Sequence, residues 1–207
     1  MAPYIFSPEE TKTIATLLNK SLSSKEMWED KSVTEIKSRI KKHYIHEQGQ
    51  TCAYCKVDLH TDHGMVWDTE HIIDKDSSPQ WIFESRNLCV SCKDCNQSKW
   101  NRAVTKSTSY KSFPQKKSSY LLVHAHFDNY EDHIKVGVPG VTYRFKSEKG
   151  RKTIEICGLL RYHELGGRKG TDPILQAVLN YAGDHQTPEA LEAALSYISS
   201  KLGTGNQ

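Results

Sequence analysis

Two cysteine pairs, Cys52 with Cys55 and Cys92 with Cys95, constrain this chain more than any other feature. Each has the C-x2-C spacing of a metal-binding knuckle, and together they offer four soft thiolates to one tetrahedral ion of the zinc type. Residues 56–91 then form a loop closed through the metal, and that closure contributes roughly 10–16 kcal/mol of apparent binding free energy at neutral pH. With sulfur in all four positions the ion has no open coordination site, so its expected role is structural. Cys89 and Cys157 fall outside the spacing and are expected as packed thiols, Cys157 within a strand.

Six cysteines suit a disulfide framework only in an oxidising compartment. Residues Met1 to Lys12 lack the basic start and apolar stretch of a secretory signal, and no apolar run approaches the roughly 18 residues of a membrane span. The expectation is a cytoplasmic chain without membrane contact. Its 207 residues suffice for a buried core, as one domain with extensions or two small domains. The net charge of +3 says little, but Lys93, Lys99, Arg102, Lys106, Lys111, Lys116 and Lys117 surround a single acid, Asp94. Such a local excess suits a phosphate backbone, and it suits an ordinary solvated face as well.

Ser7, Pro8 and Glu10 predict a capped helix start, followed by an apolar face of Ile14, Leu17 and Leu18. Val33, Ile36, Ile40, Tyr44 and Ile45 recur at helical spacing, predicting a helix from Val33 to Glu47 that Gly49 ends. Strand-like pieces lie between Met65 and Ile73, and a helix is expected from Lys93. Thr105 to Ser119 reads as a loop. Strands are expected at Tyr120 to Ala125, Val141 to Lys146 and Thr153 to Cys157, the last two joined through Ser147-Glu148-Lys149-Gly150 as a hairpin. Two helices should close the chain, one from Asp172 with Pro173 at its first position. The other starts at Thr187 with Pro188, with Leu191, Leu195 and Ile198 on one side. This divides the chain into 1–50, a helical segment; 51–104, the metal-closed core; and 105–207, an α+β segment.

Within the core, Cys52-Ala53-Tyr54-Cys55 is followed by Glu70-His71-Ile72-Ile73, by Asn87-Leu88, and by Cys92-Lys93-Asp94-Cys95-Asn96-Gln97-Ser98-Lys99. In order, spacing and interleaved cysteine pairs, residues 52–102 resemble the HNH, or ββα-metal (His-Me finger), endonucleases. The resemblance implies an α+β fold with a ββα-metal core, helices before it and a hairpin-plus-helix segment after it. It implies that His71 is the general base, that Glu70 and Asn96 are ligands of a catalytic Mg²⁺ or Mn²⁺, and that Asn87 braces the loop so that the base is aimed. Lys99 would hold a neighbouring phosphate, and DNA would be cut to 5′ phosphate and 3′ hydroxyl ends. The chemistry asks for these types in any case. A hard divalent ion takes carboxylate and amide oxygens, and an imidazole with a pKa of about 6.5 can take a proton from water at neutral pH. Consecutive strand residues point to opposite faces, so Glu70 and His71 share a site only where the strand bends or ends. Asp74 stands where a proline often follows the acid–His pair, so the next loop takes its own course. His60 and His63, between the first cysteine pair and the strand, could contact phosphate or metal, although loop histidines are usually just solvated.

Leu122-Val123-His124-Ala125-His126-Phe127-Asp128, with Tyr130 and His133, is similar to the C-terminal part of HNH proteins that accompany an ATPase in bacterial anti-phage systems of the Septu-like type. That resemblance implies a nuclease effector of antiviral defence held by a larger ATPase partner, with residues beyond 115 as the docking surface. His124, His126 and Asp128 alternate, so a strand would carry all three on one face. Two other functions fit the same residues. One is a zinc-stabilised nucleic-acid binding module without turnover, against which intact Glu70, His71 and Asn96 argue. The other is a nuclease directed at RNA, since backbone hydrolysis by one metal and one histidine does not demand deoxyribose.

Overall fold

Ser7 starts the first helix, α1 (Pro8–Leu18), as its sequence predicts: its hydroxyl accepts the Glu10 N–H while the Glu10 carboxylate accepts the Ser7 N–H. The computed structural model that shows this describes residues 1–61, 65–161 and 187–202. The same reciprocal cap, Ser23 with Glu26, starts a short helix not anticipated from the sequence, α2 (Ser24–Glu29). α3 (Thr34–Glu47) buries Ile36, Ile40, Tyr44 and Ile45, the stripe set by its 3.6-residue period. Gly49 follows with φ of 57°, the left-handed turn that stops the helix. Glu10, buried, accepts from Arg39 at 2.8 Å and ties α1 to α3.

β1 (Trp67–His71) and β2 (Leu88–Cys92) pair antiparallel, Trp67 opposite Cys92 and His71 opposite Leu88. α4 (Lys93–Lys99) leaves β2 without an intervening loop, and α3 packs on both strands. All five residues of β2 are buried. The Gln48 side chain donates to the Val90 carbonyl and accepts its N–H, each at 2.8 Å, which pins the end of α3 to β2. One hydrophobic core runs from Ile14 and Ile40 through Trp67, Leu88 and Val90 to Tyr120, Leu122 and Ile154. Each such side chain contributes about 1.5–3 kcal/mol on burial.

Beyond Val104 several expectations need correcting. Tyr120 to Ala125 is not a strand: Tyr120 bridges to Thr105, and the chain then turns, the His124 carbonyl accepting the N–H groups of Phe127 and Asp128. The Asp128 carboxylate accepts the His124 N–H at 2.8 Å and closes the turn, so His124, His126 and Asp128 do not share a strand face. Thr153 to Cys157 belongs to a helix, α5 (Glu148–Ile156), with Cys157 as its cap. What read as a hairpin turn is the start of that helix, Ser147 Oγ accepting the Gly150 N–H at 3.1 Å. The β-branched residues suggested a strand, but burial at Gly150, Thr153, Ile154 and Cys157 follows helical spacing, and packing outranks propensity. Gly150 serves a close approach, because a Cβ there would overlap the His133 carbonyl.

The hairpin forms one step earlier, β3 (Ile134–Val136) pairing with β4 (Tyr143–Phe145), Ile134 opposite Phe145. A last helix, α6 (Pro188–Leu202), starts at the expected proline, Thr187 Oγ1 accepting the Ala190 N–H at 3.1 Å. Among its described side chains Ala190 and Ala194 are buried and Leu191 and Leu195 are exposed, while the Ile198 side chain lies outside the described ones. The helix expected from Asp172, and His63, lie outside the described residues. Among the described residues the class is α+β, helices around two two-stranded sheets. No described helix is long and apolar enough to cross a membrane.

Candidate metal centre and catalytic cleft

Cys92 ends β2 and Cys95 lies in the first turn of α4, so the second cysteine pair sits at a strand-to-helix corner. The first pair sits in a turn after α3, where Cys52 donates its N–H to Val57 and its carbonyl accepts from Lys56. All four sulfurs lie within 4.8 Å of one another, and those of Cys55 and Cys92 are 3.8 Å apart. Sulfurs placed tetrahedrally at about 2.3 Å from one zinc ion stand roughly 3.8 Å apart. The four cysteines are thus positioned to hold a metal ion, consistent with structural zinc. Hydrogen-bond donors meet the sulfurs: Cys52 Sγ accepts the Cys92 N–H at 3.3 Å, and the Arg161 guanidinium reaches Cys95 at 3.5 Å and Cys92 at 3.8 Å. Burial pushes the Cys52 thiol up, while hydrogen bonding with Cys52 pushes Cys95 up and Cys55 and Cys92 down. With two thiols pushed up and two down, all four can ionise together only with a cation between them. Cys89 and Cys157 are buried away from this cluster, their thiols pushed up by burial, and Cys157 caps a helix instead of lying in a strand.

An open cleft of about 540 Å³ is lined by Asp68, Glu70 and His71 from β1 and by Lys93, Asn96 and Lys99 from α4. β1 ends at His71, so the alternation of a regular strand stops there and Glu70 and His71 line one cleft. His71 Nε2 lies 3.0 Å from the Ile82 carbonyl. A carbonyl only accepts, so Nε2 carries the proton and the lone pair stays on Nδ1. The ring meets Trp28 edge-on at 4.5 Å, and burial lowers its pKa to about 3, leaving the imidazole neutral at pH 7.

Asn87, fully buried, clamps the loop that presents Ile82. Its Oδ1 accepts the Ile73 N–H at 2.7 Å, and its Nδ2 donates to the carbonyls of Ile73 at 3.0 Å and Trp81 at 3.2 Å. This one amide thus ties the chain just after His71 to Trp81, the residue before the Ile82 whose carbonyl meets the ring.

Glu70 and Lys99 form a buried ion pair at 2.6 Å, their side chains 3% and 2% exposed. Lys99 Nζ also donates to the His71 carbonyl at 2.9 Å, and Glu70 accepts from the Tyr54 hydroxyl at 3.1 Å. Burial pushes the Glu70 carboxyl up while the Lys99 ammonium pulls it back down. Lys99 is thus engaged inside the protein and does not stand open to a phosphate. Asn96 Nδ2 donates to Asp68 Oδ2 at 2.9 Å, and Lys93 pairs with the other Asp68 oxygen at 2.9 Å. Sequence reasoning passed over Asp68, although its i, i+2 relation to Glu70 places both on one face of β1. Asp68 is the more open of the two, 27% against 3%.

Asp68, Glu70 and Asn96 are oxygen donors of the kind a hard divalent ion takes. Among the described residues, however, the four cysteines are the one close cluster of three or more His, Cys, Asp or Glu ligand atoms. His60 lies on the surface, Nδ1 3.2 Å from Asp58. Lys106, Lys111, Lys116 and Lys117 are exposed, while Arg102 donates to the Glu155 carbonyl at 3.1 Å.

No protein-family model matches the chain, and neither the curated proteins nor the solved structures contain a match. The fold and site define an α+β chain with four cysteines positioned to hold a metal ion and a cleft lined by a neutral histidine.

Proposed function

We propose that this chain is a metal-dependent endonuclease of the HNH type that hydrolyses DNA phosphodiester bonds. The observation that carries the proposal is His71, a buried neutral imidazole that lines the cleft and whose Nε2 is tied to the Ile82 carbonyl, which leaves the lone pair on Nδ1. Nδ1 takes a proton from water, the hydroxide attacks phosphorus in line, and the 3′ oxygen leaves, giving 5′ phosphate and 3′ hydroxyl ends. Asn87 keeps the ring aimed through the Ile73 and Trp81 backbone. Glu70 and Asn96 would hold Mg²⁺ or Mn²⁺, with Asp68 hydrogen-bonded to Asn96 beside them. Such an ion, when bound, neutralises charge on the pentacovalent phosphate and on the departing oxygen. For Glu70 to serve, its carboxylate has to exchange Lys99 for the ion. Zinc is the ion proposed for the four cysteines, and by fixing the corner from β2 to α4 it keeps Asn96 facing β1. The Septu-like resemblance extends the proposal to an anti-phage effector working with an ATPase partner.

One observation favours a second function, a zinc-stabilised nucleic-acid binding module without turnover: the Glu70 carboxylate is taken by Lys99. The deciding experiment incubates zinc-replete wild type and His71→Ala with supercoiled plasmid in Mg²⁺, in Mn²⁺ and in EDTA, with an RNA substrate in parallel. Metal-dependent nicking by wild type that is lost in the variant is the expected result. DNA binding without cutting, in every metal, would replace the nuclease proposal with the binding module.

A further inference from the structure

The chain leaves α4 through a backbone conformation that its side chain resists. Trp100 donates its N–H to Asn96 at 2.8 Å, and the Arg102 N–H reaches the Lys99 carbonyl at 3.0 Å, closing a four-residue turn. Trp100 is the first central residue of that turn, with φ 45° and ψ −131°, the type II′ position that glycine favours. A large aromatic residue at positive φ is a strained choice that persists where something else requires it. Packing does not require it here, because Trp100 is 70% exposed, whereas Trp67 and Trp81 are buried and Trp28 is half-buried. The strained residue also lies on the cleft that contains His71 and Glu70.

We infer that Trp100 is a stacking platform for an unpaired nucleobase beside the scissile phosphate, so the cleft prefers nucleic acid with a locally unstacked base over an intact duplex. This rests on the nuclease proposal and narrows its substrate. An indole at the lip of the cleft offers a flat π face, and base–aromatic stacking tolerates any base because every base has one. Inside a duplex both faces of a base are already stacked, so only a base that has left the helix can use the ring. The surroundings suit a polynucleotide better than an apolar protein partner. Lys93 and Lys75 share the cleft with the carboxylates of Asp68, Glu70, Asp74 and Asp76, Gln97 and Asn101 line it with Trp100, and Asn101 is shared with a second depression of about 180 Å³ that Arg102 and Tyr110 also line. The indole is thus an apolar surface in a cleft otherwise lined by polar and charged groups.

The test uses the full chain in a His71→Ala background, which keeps the substrates intact. Binding is measured by fluorescence anisotropy to a labelled oligothymidine single strand, a fully paired duplex, and the same duplex carrying one bulged thymidine. The single strand and the bulged duplex should bind at least about 5-fold more tightly than the paired duplex, with quenching of tryptophan fluorescence. Adding Trp100→Gly should weaken those two by about 5- to 150-fold and leave the paired duplex within about 2-fold, and Trp100→Phe should retain most of the preference. Because glycine relieves the turn, the melting temperature of Trp100→Gly should stay level or rise.

Equal affinities for bulged and paired duplexes, quenching that survives Trp100→Gly, or an equal loss on all three ligands with a lower melting temperature would each overturn the inference. The two proposals fail separately. A protein that cuts plasmid but shows no Trp100-dependent preference keeps the nuclease function and loses the platform, and one that stacks bases but never cuts does the opposite.

Discussion

Replacing Lys99 with methionine strands the Glu70 carboxylate where it is 3% exposed. At their 2.6 Å separation and an effective dielectric of about 20, the bare attraction is roughly 6 kcal/mol. Desolvation of both charges offsets most of that, and removing one partner of a buried pair costs about 3–5 kcal/mol because the other charge is left without compensation. The thioether also cannot donate to the His71 carbonyl, a further loss of about 1 kcal/mol. Glu70 answers by holding a proton, since burial already pushes its carboxyl up. A carboxyl whose folded pKa lies above its unfolded value of about 4.3 keeps its stability at low pH and loses it as pH rises, by up to about 1.4 kcal/mol per unit. Urea unfolding of zinc-replete Lys99→Met should therefore show a deficit of about 3–5 kcal/mol at pH 7 that shrinks toward pH 5. The double variant Glu70→Gln, Lys99→Met carries no stranded charge and should recover more than half of the deficit. A single-variant loss under about 1 kcal/mol, or a double variant no more stable than the single, would refute the buried pair.

Each chain should carry one zinc, and Cys55→Ser or Cys92→Ser should lose it and melt at lower temperature. Native mass spectrometry reads the stoichiometry, and a full equivalent of zinc in either variant would contradict the four-sulfur site. Asn87→Ala leaves the Ile73 N–H and carbonyl without partners and should cost about 2–4 kcal/mol by denaturant titration, with a lower cleavage rate. Burial holds the His71 pKa near 3, so the ring stays neutral from about pH 5 to 8, and cleavage should show no acid limb from His71 in that range. A pH–rate profile that falls below a midpoint near 6.5 in wild type would count against that environment.

Much of the N-terminal half was legible because its signals are local. Ser7 and Glu10 cap each other across one turn, α3 repeats its apolar stripe at helical spacing, and the cysteine pairs name their own partners. Glu70, His71 and Asn96 could be picked out one by one, but their occupants could not. That Lys99 neutralises Glu70, that Ile82 sets the tautomer of His71 and that Asp68 meets Asn96 depend on how β1 faces α4. The C-terminal half misled for a physical reason. Thr153, Ile154 and Ile156 carry strand propensity, and Ser147 with Gly150 serves equally as a turn or as a helix cap. Packing against His133 decides for the helix. Trp100 gave no signal at all in the sequence, because its oddity is a backbone angle.

Chemical rescue of His71→Ala tests the central claim most directly. Removing the ring opens space between Trp28 and Ile82 into which free imidazole can diffuse. End-labelled DNA is cut under single-turnover conditions in Mg²⁺, with zinc content verified and imidazole varied. If His71 is the general base, the variant should lose about 10²- to 10⁴-fold in rate and regain part of it saturably as neutral imidazole is added. A variant that cuts as fast as wild type, or a wild type that cuts no nucleic acid in any metal tested, would contradict it.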